Sequence, residues 1–208
     1  MKRTQARKSE LRSDAPTEVG AQAEACPTSA VLKPVKVEVP FSTPWFEIVS
    51  KTMVEGEAPY YSLRLPDYVS VVALTEEGRV LIVRQYRPAV EHHTLELPSG
   101  LVDPGETPQE TGRRELLEET GYQADEVEFL GGMETDVGRL GNRIFTCLAR
   151  GVRLVEGRTP EEGIEVMAWT LEELAAAIAD GRFDHALHVA VVLIAVVKGG
   201  LRLGVANV

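Results

Sequence analysis

Glu115, Glu118 and Glu119 stand within five consecutive residues of the run GETPQETGRRELLEETGY, residues 105–122. On a helix, spacings of three and four put side chains on one face. At ~100° of turn per residue the three carboxylates share an arc of about 100°. Like charges at that spacing cost an isolated helix roughly 0.2–0.5 kcal/mol per pair. Crowded carboxylate oxygens are the hard donor set that Mg²⁺ or Mn²⁺ takes. One or more such cations would convert the repulsion into ligation. The competing reading is a solvated acidic face. Two features favour the cations: no lysine alternates with these acids, and the segment follows the sharp turn VDPGE.

The surrounding residues would position the cluster. Thr107 and Glu110 form a capping box with Pro108 at the first helical position, and Gly121 stands where a helix would end. The spacing predicts a helix over 108–120. Gly112 in its middle costs about 0.5–1 kcal/mol relative to Ala, which implies close packing on a neighbour. Gly100 to Gly105 is expected to turn tightly and bring Glu106 to the helix. Arg114 can then bridge Glu106 and one of the helical carboxylates.

Gly100, Glu106, Arg114, Glu115, Leu116, Glu118, Glu119, Gly121 and Tyr122 match the Nudix box at every defined position. The stretch RQYRPAVEHHTLELPSGLVDPGE, residues 84–106, narrows the resemblance to ADP-ribose pyrophosphatases and related nucleoside-diphosphate-sugar hydrolases. The resemblance implies an α+β fold, a Nudix-type α/β/α sandwich with a mixed sheet and an N-terminal antiparallel strand extension. It implies Mg²⁺-dependent cleavage, with Mn²⁺ as substitute, of a nucleoside diphosphate sugar to a nucleoside monophosphate and a sugar phosphate. It also implies a homodimer.

Roles follow from the same resemblance. Glu115 and Glu119 become metal ligands at the centre of catalysis, Glu118 a further or water-mediated ligand, and the Ser99 carbonyl an additional one. Gly100, Glu106, Arg114 and Gly121 become the frame of the box. The general base is expected on a late loop: Glu162 is preferred, Glu161 and Glu165 are alternatives, and water activated by the cations could need no side-chain base. Arg87 is expected on the substrate phosphates or terminal ribose, with Arg84 a second candidate. Glu96 is expected on the ribose or nucleobase, and Trp45 stacked on the nucleobase, from its own subunit or a partner. The plain readings stay open: surface arginines, a paired strand glutamate, a packing tryptophan. One departure bears on substrate. TDVGRLGN carries Val137 before Gly138 where many ADP-ribose pyrophosphatases have proline, which leaves other nucleoside diphosphate sugars open. Dinucleoside polyphosphates and nucleoside triphosphates are alternative substrates. A sensor that binds without hydrolysis is the rival class, disfavoured by the intact box.

The 208 residues suffice for one domain with extensions, and 44% hydrophobic with 26% charged residues is ordinary globular composition. A net charge of −10 argues against nucleic-acid or anionic-membrane partners. Two cysteines, Cys26 and Cys147, suggest no disulfide framework, and a cytoplasmic location is the default. Residues 1–35 read as a mobile polar tail, 36–66 as an N-terminal strand region with a dimer contact, and 67–200 as the catalytic domain. Strands are expected in VKVEV (ended by Pro40), WFEIVSKTMV, YYSLRL, VSVVALT, RVLIVRQYRP, HTLELPSG (ended by Pro98), VEFLGGMET, RIFTCLARGV and IEVMAW. In the last, Ile164, Val166 and Ala168 would share one face. LEELAAAIAD and residues 184–198 read as helices, the second too short to span a bilayer. His185 and His188 share a face of that helix and read as capping or packing residues.

Overall fold

Residues 69–75, VSVVALT, offer no polar face to water, as a strand covered on both sides must. The computed structural model describes residues 32–203 and makes this stretch the central strand β4 (Tyr68–Thr75). Before it stand β1 (Lys36–Ser42), β2 (Glu47–Thr52) and β3 (Tyr60–Arg64), an antiparallel three-stranded sheet in that order. After it come β5 (Val80–Arg87), β6 (His92–Glu96), β7 (Ser99–Leu101), α1 (Pro108–Thr120), β8 (Tyr122–Gln123), β9 (Glu126–Glu134), β10 (Arg143–Leu154), β11 (Glu165–Trp169), α2 (Leu171–Ala179) and α3 (Ala186–Val197).

The main sheet runs β11-β5-β4-β10-β8, with β6 on β5, β7 on β4 and β9 on β10. β4 and β10 are parallel and the other pairs antiparallel, so the sheet is mixed. Alternation along β4 divides the core. Val69, Val71 and Ala73 pack with Leu116 of α1. Val72 packs with Leu174 and Ala177 of α2 and Val191 and Val192 of α3. This is the α/β/α sandwich that the resemblance implied.

Several boundaries differ from those expected. β1 runs through Pro40, because it is an edge strand where a missing N–H goes unnoticed, and the register slips there between Glu38 and Phe41. HTLELPSG is two strands: β6 pairs with β5, Pro98 breaks the ladder, and β7 pairs with β4. In β11 both neighbours are apolar for separate reasons. Val166 packs on the α1 side and Met167 on the α2/α3 side, while Ala168 is exposed, so the expected single apolar face is absent. The chain joins the small sheet at Val35, whose N–H donates to Thr52 O at 2.8 Å. The expected tail, residues 1–35, lies for 1–31 outside the described residues, as does Cys26.

Candidate active site

α1 is set by its ends and by one glycine. Thr107 Oγ1 accepts the Glu110 N–H at 3.3 Å, and Glu110 accepts the Thr107 N–H at 2.8 Å. Gly121, left-handed at φ 77°, donates to Leu117 O at 2.9 Å. A Cβ at Gly112 would stand 3.2 Å from Val71 and 3.6 Å from Cys147, so its absence lets the helix settle onto β4 and β10. Leu116 is fully buried beneath it. That contact fixes the rotation of the helix and turns Glu115 and Glu119 toward β7.

Glu119 is 6% exposed and accepts the Ser99 N–H at 2.9 Å. Burial pushes its carboxyl up to about 8; the Ser99 N–H and Arg87 oppose this, while the charges of Glu115 and Glu96 add to it. Glu115 lies over Gly100 so closely that a Cβ there would fall inside its carboxylate. Burial raises the Glu115 carboxyl too; Arg114 opposes, and the charges of Glu118 and Glu161 add. Arg114 donates to Glu106 at 3.0 and 3.1 Å, to Glu115 at 2.6 Å, to Glu118 at 3.2 Å and to Leu101 O at 3.1 Å. Hydrogen bonds from Arg114 and Thr111 hold Glu106 down at about 2. One guanidinium thus relieves part of the crowding. Among the described residues no cationic side chain donates a hydrogen bond to Glu119, and the charge of Arg87 does not offset its burial. A divalent cation is what the donor set fits.

Beside the cluster opens a cleft of about 450 Å³, lined by Ser99 and Gly100 on one side and by Trp45, Tyr68, Arg87 and Glu96 on others. Glu96 is 1% exposed. Arg87 grips it through Nε and Nη2, both at 2.7 Å, and Thr94 Oγ1 donates at 2.6 Å. Burial works to raise the Glu96 carboxyl, but these bonds prevail and hold it at about 2. The pair is a rigid clamp that presents the rest of the guanidinium to an anion in the cleft.

Residues 64–190 match the NUDIX domain family. The chain belongs to the Nudix family. Among curated relatives, a methanol dehydrogenase activator of Bacillus methanolicus is 34% identical over 133 residues, covering 62% of this chain and 72% of the relative. An ADP-ribose pyrophosphatase of Bacillus subtilis is 35% identical over 111 residues, 52% of this chain and 60% of its own. One from Mycobacterium tuberculosis is 35% identical over 130 residues, 60% of this chain and 62% of its own. The crystal structure of an ADP compounds hydrolase superposes with a TM-score of 0.68 at 23% identity, over 83% of this chain and 98% of that one, which shows a shared fold.

The Nudix box therefore sits as follows. Glu115, Glu119 and Ser99 come together at the α1–β7 contact, with Gly100, Glu106, Arg114 and Gly121 framing them, while Glu118 is exposed and joined to Glu115 through Arg114. Arg87, Glu96 and Trp45 meet at the cleft. Trp45 is 71% exposed, which removes the core-packing reading. Arg84 is elsewhere: three residues from Arg87 it takes the opposite face of β5, and it pairs with Glu165 at 3.1 Å. Glu161 and Glu162 are exposed on the loop before β11, and of the two it is Glu161 whose charge reaches Glu115.

Tyr68, Asn142, His185 and His188 also line the cleft, and sequence reasoning assigned none of them to it. For the histidines the signal was present as a shared helix face. For Tyr68 and Asn142 no local pattern existed. Among the described residues no helix is long and apolar enough to cross a membrane.

Proposed function

We propose that this protein is a Mg²⁺-dependent hydrolase of ADP-ribose or a related nucleoside diphosphate sugar, releasing a nucleoside monophosphate and a sugar phosphate. The observation that carries the reading is the buried Glu119 beside Glu115, anchored to Ser99, which lines a cleft that also holds the Arg87–Glu96 clamp and exposed Trp45. Similarity to the ADP-ribose pyrophosphatases of two organisms supports the substrate class.

The carboxylates of Glu115, Glu118 and Glu119 and the Ser99 carbonyl would hold Mg²⁺, or Mn²⁺ in its place. When bound, the ions supply Lewis-acid stabilisation of the phosphate oxygens and lower the pKa of the attacking water. Arg114 keeps Glu115 and Glu118 in register with the Glu106 loop. Arg87 orients the diphosphate, held by Glu96, and Trp45 offers a flat face to the base. The water oxygen bonds to one phosphorus, the bridging P–O bond breaks, and the bridging oxygen leaves on the other half. The proton lost by the water goes to the loop before β11, where Glu162 is the proposed acceptor and Glu161 its competitor. Replacing the true acceptor by Gln is expected to lower kcat by about 10²–10⁴-fold with the Mg²⁺ concentration dependence unchanged. Comparing Glu161→Gln with Glu162→Gln assigns it, and full activity in both variants would move the base elsewhere.

The reading is tested with Mg²⁺ and a panel of ADP-ribose, other nucleoside diphosphate sugars, diadenosine polyphosphates and nucleoside triphosphates. Release of nucleoside monophosphate from the diphosphate sugars supports it. Turnover confined to the other two classes changes the substrate, and binding without turnover makes the protein a sensor.

The small sheet supports a homodimer. All of β1 is exposed, and Val37, Val39, Phe41 and Tyr61 are each more than two-fifths exposed. A second copy would cover such a surface. Light scattering is expected to give twice the chain mass, and Val39→Glu with Phe41→Glu is expected to give monomers. A monomeric wild type would sink this assignment.

A further inference from the structure

The cleft contains two imidazoles that the chemistry above does not use. His185 is the N-cap of α3, its Nδ1 accepting the His188 N–H at 3.3 Å. His188, 1% exposed, accepts the Leu97 N–H on its own Nδ1 at 3.0 Å. The two rings stack, 3.9 Å between centroids and 20° apart in plane. One ring nitrogen from each and a carboxylate oxygen of Glu96 lie within 4.8 Å of one another.

A carboxylate with two imidazoles resembles a cation site, but the hydrogen bonds argue otherwise. Each Nδ1 faces a backbone N–H and must be the unprotonated nitrogen, so in a neutral ring the proton sits on Nε2. That leaves neither ring a lone pair for a metal. Burial, the neighbouring His185 and the Arg87 charge hold His188 down at about 3, with Glu96 opposing, so the ring is neutral near pH 7. His188 Nε2–H is a donor with no partner among the described residues, on a side chain lining the cleft.

Glu96 supplies the complement. A carboxylate oxygen accepts about two hydrogen bonds. Oε1 already takes Arg87 Nε and Thr94 Oγ1, whereas Oε2 takes only Arg87 Nη2. Glu96 thus keeps one acceptor position and His188 one unpaired donor, on two side chains that line the same cleft. A phosphate oxygen could use the donor but would be repelled by the carboxylate. A hydroxyl uses both, donating to Glu96 and accepting from His188.

We propose that His188 is a specificity residue whose Nε2–H, together with Glu96, holds a hydroxyl on the sugar half of the substrate. The proposal rests on the hydrolase reading above and deepens it. His185, stacked on His188, is a positioning residue that keeps the ring plane turned to the cleft.

The test compares hydrolysis of ADP-ribose with that of analogues lacking single hydroxyls on the terminal sugar. Wild type is expected to prefer ADP-ribose to one of these analogues by about tenfold or more in kcat/KM. His188→Asn places an amide oxygen where Nδ1 was, so the Leu97 N–H stays paired, but removes the Nε2 donor. It is expected to lose about tenfold on ADP-ribose, mainly in KM, and nothing on that analogue. His188→Gln, whose amide N–H reaches the Nε2 position, is expected to recover part of the loss. An equal loss on both substrates overturns the proposal and leaves the hydrolase reading standing. So does a wild type indifferent to every missing hydroxyl, a measurement that needs no variant to fold. If wild type cleaves no diphosphate sugar, the hydrolase reading fails first. Calorimetric titration with ribose 5-phosphate and its deoxy analogues then probes the subsite alone, tighter binding of the hydroxylated sugar supporting it and equal affinities overturning it.

Discussion

Glu119→Gln is expected to lower kcat on any pyrophosphate substrate by about a thousandfold or more while the chain stays folded. The amide keeps the shape and can still accept the Ser99 N–H. It loses the charge, and the charge is what the site is built to spend. Burial holds the Glu119 carboxyl near 8 against an ordinary value of 4.5, so the ionised form is unfavourable in the metal-free fold. Below pH 4.5 the group is protonated folded or unfolded, and stability carries no penalty. Between 4.5 and 8 the unfolded chain releases the proton while the folded one retains it, so stability falls as pH rises. Above 8 the loss is complete, on the order of 5 kcal/mol. Glu115, raised also, adds a loss of the same sign. The metal-free protein should therefore melt at lower temperature at pH 8 than at pH 5, and Mg²⁺ should restore more at pH 8. In Glu119→Gln most of that pH slope and most of the Mg²⁺ effect should disappear. Thermal unfolding with and without Mg²⁺ at the two pH values checks this. A variant keeping more than about a tenth of wild-type turnover would remove Glu119 from the machinery.

The parts of this site that were readable in advance are those whose cause is local. The bounds of α1 follow from Thr107, Glu110, Pro108 and Gly121, all within the segment itself, and the helix period then brings the three glutamates together. The Arg114–Glu106 bridge spans eight residues and was equally visible. The Arg87–Glu96 clamp was not: each residue could be suspected, but their grip depends on the β5–β6 register, which pairs Val83 with Glu96 and Arg87 with His92. Pro98 was read as a strand end. Its consequence, a switch of the chain from β5 to β4 that carries Ser99 and Gly100 beneath α1, needs the whole sheet. His188 reaches Leu97 across 91 residues of sequence, and no period or spacing announces such a contact. Arg84 shows the converse failure. It stood as the second candidate in the same run as Arg87, and strand alternation sent it to the other face.

Gly100→Ala is expected to separate activity from stability, with kcat falling about a hundredfold and the melting temperature moving by a few degrees at most. Gly100 lies in the extended strand β7, not among the left-handed glycines, so alanine suits its backbone. The three atoms nearest an added methyl group all belong to the carboxylate of Glu115, the far end of a flexible side chain. Folding can proceed by swinging that carboxylate aside, at the cost of one seat and the 2.6 Å bond from Arg114. The cation-binding geometry cannot follow, because Glu119 stays anchored to the Ser99 N–H while its neighbour moves. Gly78 provides the opposite case. It is left-handed at φ 73° in the β4–β5 turn, with nothing within 4 Å of an added Cβ. Gly78→Ala should therefore cost about 1 kcal/mol of stability through backbone strain and leave kcat unchanged. Kinetics, Mg²⁺ titration and thermal unfolding of the two variants side by side make the distinction. If Gly100→Ala kept wild-type turnover, the seat of Glu115 over Gly100 would have no part in the chemistry. If it failed to fold, the strand and not the carboxylate would be what the glycine serves.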